Sequence, residues 1–113
     1  MKKIDNLFSI ISSDCFFNGS IDSKSTIEVV GKFEGDLNCE SLYCREGGFI
    51  FGNINSEFVQ IGGNFDGKIV CNKLFINSSA KLNGEFIYST IQIESGAIVD
   101  GVFKFKDQEK PKQ

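Results

Sequence analysis

The chain has 113 residues and a net charge of −3 at neutral pH, with 12 phenylalanines, 12 glycines, one proline and neither histidine nor tryptophan. That length holds one domain. Acidic and basic residues are interspersed, with no basic stripe or aromatic stacking motif, so a nucleic-acid partner is not expected. Alanine occurs only at Ala80 and Ala97, which disfavours a helical repeat.

Residues 1–15 stand apart from the rest. Ile4, Leu7, Phe8 and Ile11 fall at i, i+3, i+4 and i+7, one helical face, which Ile10 widens. Lys2 and Lys3 precede it. The run is too short to span a bilayer. It lacks the apolar core and cleavage site of a secretory signal, and Asp5 interrupts it. Two readings stay open. Either the apolar face dips into the inner membrane surface while the lysines meet anionic headgroups, or the segment folds over the first coil of the domain and covers its open end.

Residues 16–105 carry one unit six times: a glycine flanked two residues away on each side by an apolar residue. The units centre on Gly19, Gly35, Gly52, Gly67, Gly84 and Gly101, in steps of 16, 17, 15, 17 and 17. Each of the first five glycines is followed by an alternating apolar pair, such as Ile27 and Val29 or Leu74 and Ile76, and then by a small corner residue. Alternation of period two between glycine bends predicts short strands. No unit can form a core alone, and stacking puts like residues above like, about 4.8 Å apart. The pattern predicts an all-β, single-chain parallel β-helix, a β-solenoid of about six coils. The only proline, Pro111, lies outside the repeats, as continuous ladders require.

The first coil opens with Phe16 and Phe17. Phe17 holds the inward register, which leaves Phe16 outward. In the third coil Ile50 holds the register, so Phe49 and Phe51 face out. With Phe58 and Phe75 they are candidates for one apolar strip. Glu34, Asp36, Asp66 and Glu85 flank the repeat glycines and are candidates for an acidic column. Residues 106–113 form a polar, charged tail that reads as disordered.

Cys15, Cys39, Cys44 and Cys71 have no CxxC spacing, so no zinc site is expected. Cys39 and Cys71 share a coil position two coils apart, about 9–10 Å, too far for a disulfide. Cys44 stands where other repeats place isoleucine and reads as a small core hydrophobe. Reduced thiols suggest a reducing compartment.

A solenoid ends in two rungs of unpaired backbone over an apolar core, which soluble repeat proteins cap with a polar repeat. Here the rungs carry Phe16, Phe17 and Ile21 at one end and Val102, Phe103 and Phe105 at the other. These six residues are the candidate polymer interface, with a second copy of the chain as partner. No catalytic residue, cofactor or metal is expected.

The six in-register units and the short non-repeating ends resemble the bactofilins, a family of bacterial cytoskeletal proteins. The resemblance covers about residues 16–105. It implies a right-handed, roughly triangular β-helix and nucleotide-independent filaments joined through the end coils. It also implies a membrane segment, which falls on Lys2, Lys3, Ile4, Leu7, Phe8, Ile10 and Ile11. The family's terminal aromatic junction falls on Phe103 or Phe105. A scaffold role at the cytoplasmic face of the cell membrane, with cell-wall enzymes or membrane proteins as partners, is what the resemblance implies for function. The short C-terminal tail departs from the family pattern.

Two other classes compete. β-Helix acyltransferases follow a six-residue repeat and need a histidine base, and this chain has neither. Carboxylate-based polysaccharide cleavage needs paired acids on one face, whereas turn-associated acids are usually solvated corners. A non-polymerising binding module for protein or glycan is the other alternative. Ice binding calls for threonine columns, and the only threonines are Thr26 and Thr90.

Overall fold

The computed structural model describes residues 9–11 and 15–105. They form ten strands: β1 (Ser9–Ile11), β2 (Phe16–Asp22), β3 (Thr26–Val29), β4 (Lys32–Cys44), β5 (Phe49–Ile61), β6 (Asn64–Val70), β7 (Lys73–Ile76), β8 (Lys81–Tyr88), β9 (Thr90–Ile93) and β10 (Ile98–Phe105). Every pairing is parallel, within one sheet. No helix occurs among the described residues.

Each turn has a long limb bent at its glycine and a short limb of four residues. β2, β6, β8 and β10 are long limbs, and β3, β7 and β9 are short ones. β4 and β5 run through both. The six predicted units thus make about five turns, with β10 as a half turn at the end.

The glycines fix the stacking. Gly19, Gly35, Gly52, Gly67, Gly84 and Gly101 pair with one another turn on turn. Their φ angles lie between +137° and +152°, backbone that side chains rarely adopt. A Cβ at Gly35, Gly52, Gly67, Gly84 or Gly101 would sit 1.8–1.9 Å from the carbonyl oxygen of the glycine below. Only glycine lets the turns close to strand spacing at this bend. Gly19 is different: its missing Cβ would meet only the Phe17 ring, at 3.5 Å, because it has no glycine below it.

Inward residues form unbroken columns. Phe17, Phe33, Ile50, Phe65, Leu82 and Val99 make one, and Ile21, Leu37, Ile54, Ile69, Phe86 and Phe103 make another. On the short limb, Ile27, Leu42, Val59, Leu74 and Ile91 stand above one another, as do Val29, Cys44, Ile61, Ile76 and Ile93. Away from the ends these side chains are buried. Hydrophobic burial along the axis, together with the parallel ladders, holds the rod together.

Three expectations fail. The four outward aromatics do not form one strip. Phe49 and Phe51 lie on the long limb beside Phe16, while Phe58 and Phe75 lie on the short limb, with Phe58 against Tyr43 at 5.7 Å. The acidic column does not form either. Asp36, Asn53, Lys68 and Glu85 stack in that order, and Glu34 and Asp66 stand in another column with Phe51 between them. Asn53 donates to Asp36 Oδ1 at 3.0 Å, so an amide and a lysine separate the two acids. Third, Ile10 and Ile11 belong to strand β1 and not to a helical face. Lys2, Lys3, Ile4, Leu7 and Phe8 lie outside the described residues, as does the tail from Lys106.

Candidate assembly surfaces at the two tips

At the C-terminal tip, β10 pairs with β8 alone and β9 with β7 alone, so both offer a bare edge among the described residues. Phe103 and Phe105 sit on this edge because the two-residue period of the limb carries them there. Phe103 stacks on Phe86 at 5.2 Å and meets Tyr88 at 6.1 Å, and Phe105 meets Tyr88 edge-on at 6.4 Å. They continue the core upward into solvent, and Phe105 is 66% exposed. Val102 is exposed in an outward column, above Glu85. Lys104 Nζ lies 3.1 Å from Glu85 Oε2.

Sequence reasoning missed Ile93 and Ile98, both exposed at this tip. Ile93 tops its inward column because no described strand lies over β9. The signal was present: a further short limb would fall on Asp107-Gln108-Glu109-Lys110, which has no apolar pair to place inward.

At the N-terminal tip, β2 pairs with β4 alone among the described residues. Phe17 stacks flat on Phe33 at 5.4 Å, and Ile21 packs on the core while staying partly open. Phe16, exposed and outward, lines a shallow groove with Phe49 and Phe51. Of the six predicted interface residues, Phe17, Ile21, Phe103 and Phe105 therefore end core-facing columns. Phe16 and Val102 flank them on the outside. Phe103 and Phe105 both meet Tyr88 at one end, whereas Phe16 and Phe17 point to opposite faces of β2 at the other.

The sides of the rod hold little chemistry. All four cysteines are reduced thiols, and Cys39, Cys44 and Cys71 are buried. Burial pushes the Cys39 thiol up to about 11, although its hydrogen bond with Ser56 Oγ acts the other way, and pushes Cys44 up to about 12. Both stay protonated near neutrality, which makes them poor nucleophiles and poor metal ligands. Among the described residues no cluster of three metal-binding side chains occurs, and no helix is long and apolar enough to cross a membrane.

No curated protein and no solved structure matches the chain. One family model does, over residues 9–104: Bactofilin, described as polymer-forming cytoskeletal. Its span takes in every strand from β1 and stops one residue short of Phe105, so both tips fall within or beside it. With most of its length matched in this way and its glycine ladder in register throughout, the chain belongs to the bactofilin family of polymer-forming cytoskeletal proteins.

Proposed function

We propose that this bactofilin assembles end to end, without nucleotide, into filaments that act as a membrane-associated scaffold for cell-shape or cell-wall machinery. The observation that carries the reading is the pair of unfinished tips. Each ends in a strand with one neighbour among the described residues and in core-column phenylalanines open to solvent. Joining two tips supplies the missing ladder partners and buries the aromatics, and neither gain calls for nucleotide chemistry. The polymer-forming character of the family supports the same reading.

The membrane part rests on Lys2, Lys3, Ile4, Leu7, Phe8, Ile10 and Ile11, a cationic start followed by apolar residues. One such segment binds lipid weakly, and a filament displays many copies at once, which turns weak binding into firm attachment. The protein then lies at the cytoplasmic face of the membrane, where it can hold wall enzymes or membrane proteins in place. A structural role is favoured over an enzymatic one by the separated acids and the protonated buried thiols.

Ultracentrifugal pelleting of purified protein in nucleotide-free buffer tests the assembly. The wild type is expected in the pellet and Phe103→Arg in the supernatant, with unchanged circular dichroism. Wild-type protein that stays soluble at high concentration would leave a non-polymerising binding module as the better reading.

A further inference from the structure

The N-terminal tip is covered unevenly. On its long limb Phe17 is 37% exposed, and no strand pairs with the outer edge of β2 among the described residues. On its short limb Ile27 and Val29 are each 0% exposed. The difference is β1, which pairs in register over them: Ser9 with Ile27, Ile10 with Glu28, Ile11 with Val29. The opposite tip serves as a control. β9 reads Thr90-Ile91-Gln92-Ile93 against Thr26-Ile27-Glu28-Val29 in β3. No described strand lies over β9, and Ile93 there is 46% exposed. A short limb at the end of this rod is therefore bare unless something is laid on it.

We infer that the outer edge of β3 is a strand-accepting site, that β1 fills it in cis, and that this docking withholds Ile10 and Ile11 from lipid. The inference rests on the membrane reading of the N-terminal segment. Ile10 and Ile11 close that apolar run, yet the same two residues form two of the three pairs with β3. A residue extended along β3 cannot also lie beneath lipid headgroups, so the two uses exclude each other. A three-residue strand near a chain terminus opens readily, which makes the exchange reversible. Anionic lipid pulls the equilibrium toward release, and release bares Ile27 and Val29. In free solution the docked strand lies over the short limb, with Ile11 in register over Val29.

The test locks β1 in place. Ile10 and Glu28 are in-register neighbours on parallel strands. Their Cα atoms are therefore about 4.8 Å apart, within the span a disulfide bridges. The full chain carrying Ile10→Cys and Glu28→Cys, in a Cys15→Ser background, is compared oxidised and reduced by flotation with phosphatidylglycerol–phosphatidylethanolamine vesicles. The crosslink is expected to form in lipid-free buffer and to cut flotation at least fivefold, with full recovery on reduction. Equal flotation of both forms overturns the inference and leaves the membrane reading standing. No flotation of the wild type removes the membrane reading and the inference with it. A pair that fails to crosslink without lipid also overturns it, because β1 is then not docked on β3.

Discussion

The middle turns and the tips are built from the same residues in the same columns, yet those residues do different things. Phe65 and Phe86 lie within closed columns and have almost no exposed surface. Phe103 stands directly on Phe86 in that column, and Phe105 on Tyr88, and both reach solvent. What separates a buried core residue from an exposed one is the presence of a next turn, not the side chain. Among the described residues the core columns of the long limbs are thereby left open at each tip.

The sharpest way to probe this contrast is the glycine ladder. Gly67→Ala drives a methyl into the Gly52 carbonyl and strains a φ of +141°. It is expected to destabilise the fold by roughly 3–5 kcal/mol, from overpacking and backbone strain together. Gly19→Ala has strain without the clash and should lose only about 1–2 kcal/mol. Urea denaturation followed by circular dichroism compares the two, and equal losses would break the distinction between middle and tip.

Truncating phenylalanines comes next. Phe86→Ala empties a closed column and is expected to cost about 3–5 kcal/mol. Phe105→Ala, on the open edge, should change the stability of the dilute protein by about 1 kcal/mol or less, because little of its surface leaves water on folding.

Alkaline pH tests the closed middle alone. Cys39 and Cys44 titrate near 11 and 12 when folded, above their ordinary 9. Between these values the unfolded chain loses protons that the folded one keeps, so stability is intact below pH 9 and falls above it. The loss approaches about 1.4 kcal/mol per thiol for each pH unit. Cys44→Val should flatten the decline measured by denaturation at pH 8 and pH 10. The smallest effect is expected for Lys104→Ala, which removes an exposed tip ion pair with Glu85. Thermal melting should shift by about 0–1 kcal/mol equivalent, and less in high salt.

The sequence showed most clearly what the axis enforces. A glycine under a carbonyl oxygen, or an isoleucine between two others, has no freedom to vary, so Gly52 or Ile61 announces the repeat. Outward positions carry no such constraint. Phe51 stands between Glu34 and Asp66, and Lys68 between Asn53 and Glu85, so neither an aromatic strip nor an acidic column could be read from spacing alone. The helical spacing misled at Ile10 and Ile11 for a related reason. A few apolar residues fit either period, and the exposed edge of β3 decides in favour of a strand at Ser9–Ile11. Ile93 is exposed because no described turn lies over it, and the only sign of that in the sequence is the lack of an apolar pair at Asp107-Gln108-Glu109-Lys110, while Ile98 is exposed because it stands in the outward column above Lys81.

Everything proposed for function depends on bare tips joining one copy to the next. Negative-stain electron microscopy of nucleotide-free protein, wild type beside Phe105→Arg, tests this most directly. The account predicts long filaments for the wild type and single short rods for the variant, whose charge lands in the tip junction. Filaments of unchanged length from Phe105→Arg would contradict it.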